Sequence, residues 1–196
     1  MANAERVQTV LEARTRYFEK AGFPPDGGYA ASFVSLGKLG PIPIGFPNTD
    51  SRRRAVVMHD LHHVATGYGT DWAGEGEISA WEIAAGCGRF AFAWFINLQG
   101  MMMGWVVSPG RTWRAWVRGR HSRSLYAEGY SDSVLRESVG ELRARLGLDR
   151  PQPEPTAGDR LSCAVWSALA VAHALVLLAI PIAGAVLLAR ALFGGP

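Results

Sequence analysis

HDLHHVATGYGTDWAGE, His59 to Glu75, sets two histidines four residues apart, follows them with three glycines, and ends on a carboxylate. Residues i and i+4 share one face of an α-helix, so His59 and His63 project together while His62 takes another angular position. The preceding RRRAVVM suits the same helix, with Ser51 as its candidate cap and Gly67 near its end. Gly67, Gly69 and Gly74 then break the chain, and a second helix is predicted from near Glu75 through EGEISAWEIAA. A carboxylate in the first turn of that helix is favoured by the positive end of the helix dipole. Glu82, seven residues on, returns to about the same face. The stretch therefore specifies helix, glycine turn and helix, with imidazoles and carboxylates meeting at the junction.

Outward from this pair, the pattern stays helical. Ala4 to Lys20 places Val7, Val10, Leu11 and Phe18 roughly on one side, as an amphipathic helix requires. GFPPDGG and LGPIPIGFPNTD are Pro/Gly-rich passages in which helices should not persist, and a lid or connection is expected between those breaks. Ala84 to Val107 carries Arg89 as its one charged side chain, Arg89 and Asn97 interrupt its apolarity, and Gly86, Gly88, Gly100 and Gly104 interrupt the run, which predicts a broken, largely buried helix. Met101 to Met103 suit core filling or an adaptable apolar cavity. Ser131 to Leu148 reads as a short amphipathic helix closed by Gly147, and RPQPEPTAGD as a linker. The fold class expected is all-α: a helical domain over residues 1–153, a linker over 154–160, and a membrane anchor over 161–193.

The 196-residue chain carries a formal net charge of +3, and all its acidic residues lie at or before Arg160. A mildly basic body of this kind gives no strong indication of nucleic acid as a partner. Arg111, Arg114, Arg118, Arg120 and Arg123, interleaved with Trp113, Trp116 and Tyr126, suit a membrane-facing or phosphate-facing surface, or a solvated one. Cys87 and Cys163 sit in apolar surroundings without a CxxC pair and read as buried free thiols. The N-terminal residues form no apolar run of signal-peptide type, so a cytoplasmic body is expected.

The tail LSCAVWSALAVAHALVLLAIPIAGAVLLARALFGG contains no acid. Ala164 to Leu188, as one helix at roughly 1.5 Å per residue, extends about 37 Å, enough to cross a hydrocarbon layer with tilt. Pro181 kinks such a span or centres a short re-entrant hairpin; the single span is the expectation. His173 reads as a packed or snorkelled residue. Arg143, Arg145, Arg150 and Arg160 precede the tail against Arg190 after it, which predicts a cytoplasmic body and a translocated C-terminus.

Two imidazoles and a carboxylate form a normal ligand set for zinc or another borderline divalent cation. His59, His63 and Glu75 are the candidate ligands. Asp60 either ligates directly or orients an imidazole from behind, and Glu82 either supports the shell or serves as a base. The alternative is a satisfied polar cluster linking two helices. The HExxH protease pattern is absent, and so are the repeated Glu-x-x-His units of di-iron bundles.

The motif HDxxH followed by eleven residues and Glu, formed by His59, Asp60, His63 and Glu75, resembles the Coq-four family of ubiquinone-biosynthesis proteins. GTDWAGEGEISAWE, with Glu82 at the trailing acidic position, RAWVRGR and ESVGELRARLGL extend that resemblance over most of residues 4–153. It implies a mostly helical protein that holds a divalent metal, zinc first with iron or manganese as alternatives, in a shell of His59, Asp60, His63 and Glu75, with Glu82 as support. It further implies a polyprenyl-bearing ligand, work at a membrane beside other quinone-pathway enzymes, and oxidative removal of a ring carboxyl group with hydroxylation at C1. Gly76 and Glu77 depart from the family's pattern, with Glu77 a competing ligand or a solvated residue. The apolar tail departs too. A non-catalytic prenyl-lipid scaffold and a membrane-tethered hydrolase of lipid phosphates are the alternatives, and the oligomer is open between monomer and homodimer.

Overall fold

The computed structural model describes residues 8–193 and is predominantly α-helical. Its elements are α1 (Val10–Ala21), a hairpin of β1 (Phe33–Leu39) and β2 (Ile42–Pro47), α2 (Asp50–Thr66), α3 (Trp72–Ala85), α4 (Ala91–Val107) and α5 (Pro109–Arg120). After these come the short α6 (Leu125–Glu128), a 3-10 turn (Asp132–Arg136), α7 (Val139–Leu146) and α8 (Ala157–Phe193). The expected first helix is present from Val10; its proposed start at Ala4 lies outside the described residues.

Local chemistry accounts for most of the boundaries. Thr9 and Glu12 form a capping box on α1, and Ser138 and Glu141 form another on α7. The cap of α2 is Thr49, which accepts from the Arg52 N–H, two residues before the Ser51 expected from the sequence. Asp71 caps α3 by accepting from the Gly74 N–H, so this helix begins a turn before Glu75. Gly67 ends α2 at φ 78°, a left-handed conformation that glycine adopts without steric cost. The Pro/Gly-rich passage forms an antiparallel two-stranded hairpin, with a register shift between Ser35 and Gly37. Prolines survive there because an edge ribbon leaves many backbone groups unpaired.

The predicted break in the long apolar run falls between Ala85 and Ala91. The two helices it separates, α3 and α4, pack closely because glycines remove side chains from the crossing. A Cβ added at Gly76 would lie 2.3 Å from Gly104 Cα, and one at Gly100 would lie 2.0 Å from Ser79 Oγ. Gly76, a departure from the Coq-four pattern, is thus required by helix contact. Around this crossing the core includes Trp81, Ile78, Met101, Leu61 and Trp116, all essentially inaccessible. Cys87 and Cys163 are free and buried.

The tail helix has two halves. Asp159, Cys163 and Ala170 are buried and Trp166 and His173 partly so, a three-to-four-residue seam that lays the first half against the body. Trp166 stacks on Trp94 of α4 with ring planes 11° apart. Asp159 accepts from His121 at 3.0 Å and pairs with Arg120, while its carbonyl accepts from the Trp116 indole at 3.1 Å. From Leu178 to Phe193 every residue is exposed. This helix is long and apolar enough to cross a membrane, and none of its most apolar window is buried.

Candidate metal centre

Helices α2 and α3 bring three donors to one point. His59 Nε2 lies 3.2 Å from His63 Nε2, and each lies 3.6 Å from a different oxygen of Glu75. All three ligand atoms fall within 4.8 Å of one another. His63 is buried, whereas the His59 and Glu75 side chains are 20% and 36% exposed, so the cluster opens to its surroundings past those two residues.

The far side of each imidazole is already committed. His59 Nδ1 donates to Glu82 Oε1 at 3.0 Å, and His63 Nδ1 donates to the Tyr68 carbonyl at 3.1 Å. A hydrogen on Nδ1 leaves the Nε2 lone pair facing the shared point, the tautomer that a metal ligand needs. Tyr17 lies against the His63 ring, with centroids 5.4 Å apart and planes 19° apart. The donor chemistry, the tautomers and the restrained ring orientations fit a divalent cation.

Asp60 is not brought to that point. One helical position beyond His59, its carboxylate accepts from the Tyr29 hydroxyl and, at 3.5 Å, from the Tyr17 hydroxyl. It therefore acts on the shell from behind, through the tyrosine that covers His63. Burial pushes the Asp60 carboxyl up to about 6, even though His59 and the Tyr29 hydroxyl favour its charged form. Burial and the neighbouring Asp60 and Glu75 charges raise the Tyr17 hydroxyl above its ordinary value.

Glu82 is fully buried and has four partners: His59, the His62 Nδ1 at 2.6 Å, the Asn97 amide and the Tyr126 hydroxyl at 3.1 Å. Burial opposes its charge, but His59 and His62 outweigh that and hold its carboxyl well below the usual range. Both of its oxygens are occupied, an arrangement that suits support of the shell, one of the two roles open to it in the sequence. His62, off the ligand face as the helical spacing predicts, bridges Glu82 to the Leu125 N–H at 2.9 Å. Burial lowers its proton affinity. Glu77 neither ligates nor faces solvent; it is buried and pairs with Arg111.

The neutral His63 needed by a metal is favoured by burial and by the nearby His59 charge, which lower it to about 4. Burial also opposes charge on His59, yet Glu82 and Glu75 more than compensate and hold it well above its ordinary value. Of the two rings, His59 is the one that takes a second proton more readily, and its Nε2 lies 3.2 Å from His63 Nε2.

Several contributors carry no motif. Tyr17 and Tyr29 precede the histidines by a full helix and a hairpin, and nothing local marks them. Asn97 did leave a trace, as an amide that interrupts an apolar run; it serves Glu82. The Arg111 to Arg123 series is only partly a surface feature, since Arg118 donates to the Thr66 and Leu148 carbonyls. Comparison with family models, curated proteins and solved structures returned no match. A His/His/Glu cluster able to coordinate a metal ion, on a helical body with a helix suited to anchoring it in a membrane, is what the chain presents.

Proposed function

We propose that this chain is a metal-dependent enzyme of ubiquinone or related prenylquinone biosynthesis. In this reading the ring carboxyl group of a polyprenyl hydroxybenzoate leaves as carbon dioxide and C1 gains a hydroxyl group from water, with dioxygen as the two-electron oxidant reduced to hydrogen peroxide. The observation that carries it is the convergence of the His59 and His63 Nε2 atoms with the Glu75 carboxylate, together with the resemblance in the surrounding motif. A divalent ion, with zinc the first choice and iron or manganese the alternatives, would stabilise charge on the substrate carboxylate and adjacent phenolic oxygen.

The chain's own residues supply orientation and access. Glu82 and the Tyr68 carbonyl fix the two imidazoles, Tyr17 restrains His63, and the partly exposed His59 and Glu75 mark the side from which a ring can approach. A groove of about 530 Å³ between α4, α5 and α8, lined by Met102, Trp105, Trp113 and Cys163 among others, gives a polyprenyl chain apolar surface. The basic residues that precede the tail support a cytoplasmic body in this reading. Neighbouring quinone-pathway enzymes are its expected partners.

The saturation of Glu82 favours a second reading, in which the same centre holds a prenylated intermediate for other enzymes without converting it. Purified metal-loaded protein, incubated in oxygenated detergent micelles with a polyprenyl hydroxybenzoate, separates the two by mass spectrometry. Carboxyl loss with oxygen gained at C1, absent in His63→Ala, supports the enzyme. Unchanged substrate that copurifies with the protein supports the scaffold.

A further inference from the structure

The hairpin leaves apolar side chains uncovered: Phe33, Ile42 and Ile44 are 41%, 64% and 48% exposed. A two-stranded ribbon is marginal alone and needs a surface to pack on. Residues 27–49 include no acid. Phe46 of β2 meets Phe92 of α4 at 6.2 Å, and the Arg52 guanidinium lies 5.8 Å from each ring. One turn along α4, Phe95 meets His173 of α8 at 4.9 Å, and Gln99 hydrogen-bonds His173 at 2.8 Å.

These contacts fix where the hairpin joins the body relative to the anchor. Late residues of α4, Met102 and Trp105, line a groove with Arg160 and Cys163, whereas the early residue Phe95 meets His173, so α4 and α8 run antiparallel. The N-terminus of α4, and the hairpin joined to it through Phe46, therefore lie at the end from which the free half of α8 departs. Leu178 to Phe193, the fully exposed part of α8, extends about 24 Å as a helix, and the half-buried Ala174 and Leu177 before it bring the apolar length to about 30 Å, the thickness of a bilayer's hydrocarbon core. In that arrangement the headgroup level falls near His173. Exposed Arg54 lies in the first turns of α2, two residues after Arg52, and exposed Arg89 just precedes α4. The nearby acid Asp50 is paired with Arg53 at 2.8 Å.

We propose that the β1–β2 hairpin is a second membrane contact, seated on the leaflet that the free half of α8 enters, with Ile42 and Ile44 among acyl chains and Arg52, Arg54 and Arg89 at lipid phosphates. Continuity with the anchor and the acid-free, arginine-flanked surface select an anionic lipid surface as the occupant. This reaches beyond the metal reading and does not depend on it. It has a consequence for the metal centre, because β2 leads into Asn48, whose amide donates to the Tyr29 carbonyl at 3.2 Å while the Tyr29 hydroxyl binds Asp60. A seated hairpin ties the segment that carries Tyr29, and through it Asp60, to the membrane-facing end of the body.

The test uses the full chain in vesicles of phosphatidylcholine with a minority of phosphatidylglycerol. An environment-sensitive dye is placed at Ile44→Cys and, in parallel, at Ile42→Cys, with Asp149→Cys as the exposed control and Ile182→Cys as the inserted one; the native cysteines are buried. Quenching of both hairpin dyes by brominated lipid, with iodide quenching several-fold weaker than at Asp149→Cys, is expected. Hairpin dyes as open to iodide as the control, while Ile182→Cys reports insertion, would overturn the proposal. So would protection from iodide without bromolipid quenching, which would assign the face to a second copy or another protein.

Discussion

His59 Nδ1 donates to Glu82 Oε1 at 3.0 Å, so the orientation of a solvent-facing ligand is set by a carboxylate with no exposure of its own. Replacing Glu82 with Gln leaves one accepting oxygen for four donors: with that oxygen toward the imidazoles, the new N–H group meets the Asn97 amide and the Tyr126 hydroxyl, and the charge that holds His59 is lost. Metal affinity should fall roughly 10- to 100-fold, as is typical when an outer partner of a ligating histidine is lost. The unpaired buried donor should also cost about 1–3 kcal/mol of stability. Titration with a chromogenic chelator and urea unfolding read the two effects separately.

Proton competition should appear at His59. Its raised proton affinity means that a metal binding near neutral pH displaces about one proton, so apparent affinity should drop about tenfold per pH unit below that raised value. Calorimetry in buffers of different ionisation enthalpy measures the proton count. The metal-free protein shows the opposite sign. Stabilisation from protonated His59 is fully present below about pH 6.5, its unfolded value, and is lost as pH rises through the folded value.

Asp60 gives a second pH signature. Its carboxyl is pushed up to about 6, so its contribution to stability is complete below its unfolded value of about 4 and is lost as pH rises through 6. Asp60→Asn should flatten that decline in metal-free protein, seen as a smaller difference in melting temperature between pH 5 and pH 7. An unchanged pH profile would mean that Asp60 ionises freely in the fold.

The glycine contact between α3 and α4 should tolerate no side chain. Gly76→Ala forces a methyl to within 2.3 Å of Gly104 Cα and should cost at least about 1–3 kcal/mol by overpacking. Equilibrium unfolding measures it, and a neutral result would show that the helices can separate cheaply.

Truncation should depend on where the tail is cut. Ending the chain after Leu177 keeps the Cys163, Trp166, Ala170 and His173 seam and should yield a folded body that leaves the membrane fraction. Ending it after Arg160 strips that seam from α4 and should give aggregation. Fractionation followed by circular dichroism distinguishes a soluble folded body from a collapsed one.

The helix, turn and helix around His59 to Glu75 were legible because i,i+4 spacing and glycine breaks act locally. The divided apolar run before Val107 was legible for the same reason. The hairpin was visible only as a place where helices fail, since strand pairing of Phe33 with Pro47 is a nonlocal choice. The role of Asp60 was ambiguous in sequence because adjacency to His59 along the chain does not decide direction on a helix; Tyr17 and Tyr29 decide it. Likewise the apolar tail could be recognised as lipid-compatible, but its packing on Trp94 and Phe95 depends on side chains far away in the chain.

The central claim is that His59, His63 and Glu75 hold one metal ion. Elemental analysis of the purified full chain and of its His59→Ala, His63→Ala, Glu75→Ala and His62→Ala variants tests it most directly. The account predicts about one divalent ion per chain in the parent and in His62→Ala, and loss of the ion in the other three. Equal metal content in all five proteins would contradict it.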